Sequence, residues 1–101
     1  EVEYLRGVPP VVNDSECVET LRQAASVVLG AGQACEVEQS LGGEDFAWFL
    51  EHAPGALARL GVRTPGSTQV GDLHRGDFDA DERAIGVGVQ LLVATALLAL
   101  T

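Results

Sequence analysis

The residue best suited to metal binding or acid–base chemistry is His74, which lies in a short loop between Gly71 and Gly76 with acidic residues on both sides. A histidine held at the start of a helix can ligate a metal ion or act as a general base. A histidine on an acidic surface can also be an ordinary loop residue. The residue types alone leave both interpretations open.

A second candidate is the Gly-Gly-Glu-Asp-Phe motif at residues 42–46. Its glycines let the backbone approach a ligand, and loops of this kind border the ligand cleft in open α/β sheets. The motif can equally serve only to start a helix, because carboxylates stabilise the positive end of the helix dipole. His52, just before Pro54, is interpreted as a partner of the negative helix end and not as a ligand.

Hydrophobic periodicity predicts the elements that must position these residues. Alternating or short apolar runs predict strands over residues 1–6, 34–38 and 56–62. Because predicted strands and helices alternate along the chain, the expected fold class is α/β.

Three helices are predicted between and after those strands. The first spans 13–29, with a capping box of Asn13 and Glu16 at its start and Gly30 at its end. The second begins at Phe46, and the third begins at Asp79 and continues close to the C-terminus. The second helix is expected to bury an apolar stripe made of Phe46, Phe49, Leu50 and Ala53.

Composition limits the partners and the compartment. Six basic and fifteen acidic residues give a net charge of −9, which argues against nucleic acid or an anionic membrane as a partner. Cys17 and Cys35 have no metal-binding or disulfide spacing and are expected to be reduced residues of the core. No signal peptide pattern opens the sequence, and a cytoplasmic location is therefore expected.

The C-terminal segment 84–101 contains no charged residue. A membrane span is not predicted there, because glycines and polar residues dilute the apolar run and no positive flank anchors it. A helix that is apolar nearly all round is otherwise a buried helix. This chain offers little to cover both faces, so we expect part of the protein to be missing and the isolated chain to form a homo-oligomer.

A set of short motifs follows a fixed order along the chain: Val8-Pro9-Pro10, Asn13-Asp14, Leu29-Gly30, Gly42-Gly43-Glu44-Asp45-Phe46, Pro54-Gly55, Leu60-Gly61, Leu73-His74, Phe78 and Asp81-Glu82. In this order the motifs resemble those in the C-terminal third of the M20 family metallo-amidohydrolases. The similarity is strongest to the branch with hippurate hydrolases, N-acyl-amino-acid amidohydrolases and auxin-conjugate hydrolases, and it covers nearly the whole chain.

The resemblance implies a fold in which this chain is one portion of a larger protein. Residues 1–8 would be the last strand of a ferredoxin-like lid and dimerisation domain. Residues 9–101 would form the C-terminal half of the catalytic domain, which has a zinc-peptidase-like three-layer αβα fold. The missing N-terminal segment would then be a partner of this chain.

The resemblance also implies the site. His74 would correspond to the C-terminal ligand of a divalent metal, such as zinc or manganese, with Asp72 or Asp77 holding its other ring nitrogen. Gly43, Glu44 and Asp45 would border the cleft for an N-acyl amino acid or related amide. The other metal ligands and the general base lie N-terminal in such enzymes. The isolated chain is therefore expected to be inactive and to hold no metal.

An alternative from another functional class stays open. The chain could be an independent, non-catalytic acidic module that binds a protein partner through its apolar C-terminal helix. The abrupt start within the first predicted strand favours a truncated enzyme over this module.

Overall fold

A computed structural model describes residues 1–68 and 71–101 of the chain. These ranges contain three α-helices: α1 is Ser15–Leu29, α2 is Phe46–Leu50 and α3 is Arg83–Ala99. Of the described helices, only α1 and α3 pack against each other. The remaining described residues form turns and irregular backbone.

The start of α1 differs by one residue from the predicted capping box. Asp14 is the N-cap, and its carboxylate Oδ1 accepts a hydrogen bond of 2.9 Å from the backbone N–H of Cys17. At the other end, Gly30 has a φ of 97° and its N–H bonds to the carbonyl of Ser26, so glycine terminates the helix as predicted. Asn13 is not the cap, because its side chain is engaged elsewhere.

Asn13 instead joins the start of α1 to a distant segment. Its Oδ1 accepts from the N–H of Leu57 at 2.9 Å, and its Nδ2 donates to the carbonyl of Leu57 at 3.1 Å. Beside this pair, the N–H of Asp14 donates to the carbonyl of Gly55 at 2.9 Å. We call these three bonds the Asn13 link. It fixes the connection after α2 against the N-terminus of α1.

The start of α3 lies further along the chain than predicted. The helix begins at Arg83, and Glu82 in the N-cap position makes no side-chain capping bond. The carboxylate of Asp81 accepts from the N–H of Arg83 at 3.0 Å, while the N–H of Asp81 donates to the carbonyl of Val62 at 2.7 Å. Asp81 thus takes the role predicted for Asp79, because its backbone is already bonded to the preceding segment.

The predicted strands at 1–6, 34–38 and 56–62 are absent, since the described residues contain no strand. A strand is defined by hydrogen bonds to a neighbouring strand, and none of these segments has such a neighbour in the described part of the chain. The α/β prediction therefore holds for its helices alone. The three-layer αβα arrangement is not seen.

The buried core is small. Among the described residues only Ala24, Ala25 and Ala47 are buried. The predicted stripe of α2 is partly wrong, because Phe49 is 69% exposed while Phe46 and Leu50 are half-buried. The physical reason is that α2 is a short helix and packs against neither of the other two helices.

The last helix presents apolar side chains on two opposite faces. One face is half-buried, and on it a Cβ added to Gly88 would lie 3.5 Å from Cδ2 of Leu60. The opposite face is exposed, and we call it the outward stripe. It consists of Ile85, Val89, Leu92, Val93, Leu97 and Leu100. None of the helices in the described ranges has the length and hydropathy needed to cross a membrane.

The Asn13 link predicts a measurable loss of stability on Asn13→Ala. The substitution removes both side-chain bonds to Leu57, and because the site is exposed to water we expect a loss of about 1 kcal/mol in the free energy of unfolding. Urea denaturation measures this. Gln39→Ala, at an exposed position outside any helix, is the control and should change the value by less than about 0.5 kcal/mol. Equal losses in both variants would contradict the link.

Candidate functional site

His74 lies at the tip of a compact loop. It is exposed and has a φ of 70°, which makes it the one non-glycine residue with positive φ in the described part of the chain. The left-handed region is uncommon for residues with a Cβ, although histidine tolerates it better than most. The loop therefore holds this residue in a defined, unusual backbone conformation.

A two-pronged ion pair lies directly after His74. Nε of Arg75 donates to Oδ1 of Asp77 and a terminal guanidinium nitrogen donates to Oδ2, each at 2.9 Å. The guanidinium lowers the pKa of the Asp77 carboxyl below its usual value. Both oxygens of Asp77 are thus used by Arg75. No hydrogen bond joins Asp72 or Asp77 to the His74 ring in the described part of the chain, so that predicted role stays a prediction.

The two ends of the loop meet. The N–H of Phe78 donates to the carbonyl of Arg75 at 3.2 Å, closing a tight turn. A Cβ added to Gly71 would lie 3.5 Å from Cδ2 of Phe78, an ordinary van der Waals distance, so the backbone at Gly71 passes close to the side chain of Phe78. The loop presents His74 from a narrow base formed by Gly71 and Phe78.

The Gly43-Glu44-Asp45 segment forms the turn before α2. Oε1 of Glu44 accepts from the N–H of Phe46 at 3.1 Å, and the carbonyls of Glu44 and Asp45 accept from the first turn of the helix. Open space surrounds the position of a Cβ on Gly43. The structure thus shows the helix-starting role of the motif, and its role at a substrate cleft stays a prediction.

The surface of the described residues includes two concave regions. A shallow groove of about 620 Å³ is lined by residues 12–15 and 50–55, which include His52, Asn13 and Asp14. A smaller one of about 110 Å³ lies beside the His74 loop and is lined by Asp77 and Phe78 among others. Neither is lined by Gly43, Glu44, Asp45 or His74.

The described residues do not form a closed metal site. They contain no group of three His, Cys, Asp or Glu side chains placed to hold a metal ion. His74 offers an exposed imidazole, which suits the role of a single nitrogen donor. The role of His74 as a metal ligand therefore stays a prediction.

Both cysteines are free thiols, as predicted, but neither is buried. Cys17 is half-buried, and its hydrogen bond with Asp14 raises the pKa of the thiol. Cys35 is exposed, because the strand expected to bury it does not form. A raised thiol pKa disfavours the thiolate, which is the nucleophilic form of cysteine.

Sequence reasoning missed the Asn13 link and the Arg75–Asp77 pair. The adjacent Asn13-Asp14 could have indicated two side chains with different partners, but nothing in the sequence points to Leu57. An Arg and an Asp separated by one glycine in a short loop are a clearer signal, because such a turn brings the two charges together.

Comparison with known protein families identifies the family of this chain. The sequence profile of peptidase family M20/M25/M40 matches residues 1–98. The chain belongs to this family. No solved structure matches it.

Three relatives illustrate the similarity of this M20-family chain. A protein of Rhodococcus jostii named for glutamate–cysteine ligase activity is 54% identical over 93% of this chain and 12% of its own length. A Synechocystis protein named as a hydrolase is 45% identical over 91% of this chain and 24% of its own. The N-acetyl-L-cysteine deacetylase of Bacillus subtilis is 38% identical over 83% of this chain and 18% of its own length. The chain thus spans no more than about a quarter of these relatives' lengths.

The Asp81–Arg83 pair predicts how the stability of this chain responds to acid. The guanidinium of Arg83 lowers the pKa of Asp81 from 3.8 to about 2 in the folded chain. A lowered pKa stabilises the fold above the unfolded-state value, and this contribution disappears as pH falls through the folded-state value. The stability advantage of the native chain over Asp81→Asn should therefore shrink between about pH 4 and pH 2.

Thermal unfolding followed by circular dichroism over that pH range measures the effect. Asp79→Asn is the matched control, because Asp79 forms no ion pair within the described ranges. The native chain and Asp79→Asn should respond to acid alike. A constant difference between the native chain and Asp81→Asn would contradict the role of the pair.

Proposed function

We propose that this chain is the C-terminal part of a metal-dependent amidohydrolase that hydrolyses an N-acyl amino acid or a related amide. The observation that carries the proposal is the family match over residues 1–98. Two relatives support the reaction class, since one is named as a hydrolase and another as a deacetylase of N-acetyl-L-cysteine. The proposal extends to the class of substrate and names no particular acyl group or amino acid.

The remainder of the enzyme would complete the fold. In this proposal residues 1–8 end a lid domain and residues 9–101 form the closing half of a three-layer αβα catalytic domain. The segments 34–38 and 56–62, irregular in the structure, would gain strand partners from the N-terminal segment. The half-exposed helices of this chain would then have a sheet to cover.

His74 would supply one neutral imidazole nitrogen to a divalent metal such as zinc or manganese. When bound, the metal would activate water for attack on the amide carbonyl. Gly43, Glu44 and Asp45 would border the cleft that holds the substrate. Because the described residues lack three clustered donors, we propose that the isolated chain is inactive and binds no metal tightly.

The relative named for ligase activity does not favour a second function. The matched segment is only 12% of that protein, so its name describes a polypeptide that lies mostly outside the similarity. The relatives named as hydrolase and deacetylase are also matched over a small share of their length, 24% and 18%, but their names agree with the peptidase family that matches residues 1–98.

We also propose a cytoplasmic location. It is supported by the two free cysteines, since reduced thiols persist in the cytosol.

His74→Ala in the complete enzyme tests the metal-ligand role. Losing one donor should lower metal affinity by more than about tenfold and reduce amide hydrolysis with it. Metal content after dialysis and release of free amino acid from N-acetyl amino acids measure the two effects. His52→Ala is the matched control, because His52 is the other histidine of the chain and lies after α2. Full metal content and an unchanged rate in His74→Ala would overturn the assignment.

The outward stripe supports a homo-oligomer for the 101-residue chain. The stripe carries no charge, whereas the chain as a whole has a net charge of −9. Two copies can therefore meet at this face without bringing like charges together, and the contact removes apolar side chains from water.

Analytical ultracentrifugation tests this association. The chain should sediment as a dimer or larger species at micromolar concentration, and Leu92→Gln on the outward stripe should shift it towards monomer. Arg22→Gln, at an exposed position on α1, is the control and should not dissociate it. A monomeric native chain would refute the proposal.

A further inference from the structure

The positive φ of His74 is not explained by contacts of its own side chain. A residue with a Cβ at a φ of 70° is strained, and such conformations persist only when the surroundings enforce them. Within the described residues, the side chain of His74 makes no hydrogen bond or ion pair. The constraint must therefore come from the neighbouring residues of the loop.

The residues immediately after His74 provide that constraint. The two parallel hydrogen bonds between Arg75 and Asp77 span the same turn as the backbone bond from Phe78 to the carbonyl of Arg75. A bidentate guanidinium–carboxylate contact fixes orientation as well as distance, because both groups are planar. Rotation at Arg75, the residue joined to His74 by a peptide bond, is thereby restricted.

Global stability is not a sufficient reason for this ion pair. The side chains of Arg75 and Asp77 are 59% and 64% exposed, and ion pairs so accessible to water contribute little to the stability of a fold. The consequence of the pair is therefore local. It acts on the shape of the loop whose tip is His74.

We propose that Arg75 and Asp77 are positioning residues for His74: their two-pronged ion pair holds the loop backbone so that the side chain of His74 starts from a fixed position from which it can reach a metal ion. This inference rests on the proposed function, in which His74 is a metal ligand. Asp77 then acts on His74 through Arg75 and not by accepting a hydrogen bond from the ring. Lysine cannot replace Arg75 in this role, because an ammonium group keeps the charge but lacks the planar fork.

Arg75→Lys in the complete enzyme is the decisive variant. It preserves the charge near the metal, so an altered affinity reports loop geometry and not electrostatic attraction. The zinc dissociation constant, measured by competition with a chelator, should rise about tenfold, the size of effect seen when partners of metal ligands are removed. The midpoint of thermal unfolding without metal should stay unchanged.

The chain contains a matched control for this substitution. Arg83 and Asp81 form a second two-pronged pair, also separated by one residue, at the start of α3. Arg83→Lys should leave the zinc dissociation constant unchanged. The double variant Arg75→Lys/Asp77→Asn should bind zinc no more weakly than Asp77→Asn alone, because the pair is already broken.

The outcomes separate this inference from the proposed function. If His74→Ala weakens zinc binding but Arg75→Lys does not, the positioning role is overturned and the ligand role stands. Equal weakening by Arg75→Lys and Arg83→Lys would also overturn the positioning role. If His74→Ala leaves zinc binding intact, the proposed function fails and the positioning role fails with it.

Discussion

The contact on which this structure depends is the packing of α1 against α3, since α2 packs on neither helix and only three alanines are buried in the described residues. Small side chains such as Ala24 and Ala25 allow a helix to approach its neighbour closely, but they bury little apolar area. The Asn13 link and the bond from Asp81 to Val62 tie the intervening segments to the two helices. These hydrogen bonds supplement a buried core that is small.

Several of the local hydrogen bonds that order the helix starts and the loop are accepted by carboxylates. Asp14 caps α1, Asp81 orders the start of α3, and Asp77 pairs with Arg75 beside the candidate ligand. In each case a neighbouring donor lowers the pKa of the carboxyl, so these groups stay ionised to a lower pH than usual. Part of the acidity of the chain therefore serves its turns and caps, and a net charge of −9 need not indicate a cationic ligand.

The candidate ligand and the last helix both lack partners within the described residues. His74 offers one donor without two companions in the described residues, and α3 offers two apolar faces with one left in water. Membership of peptidase family M20/M25/M40 and the small share of each relative that is matched give both observations a common explanation. In the proposed enzyme, the N-terminal segment would supply both the further ligands and the surface that the exposed helices cover.

The sequence by itself determined the three helices, the glycine that ends α1 and the family, because helical periodicity, glycine's freedom at positive φ and an ordered set of motifs are local features of the chain. It also singled out His74 by residue type, while its role as a ligand stays a prediction. The tertiary structure alone decided that Asn13 bonds to Leu57 and not to its own helix, and that the predicted strands do not form. Those outcomes depend on which groups meet across the fold: a strand requires a neighbouring strand, and a side chain with two possible partners bonds to the one that folding brings within reach.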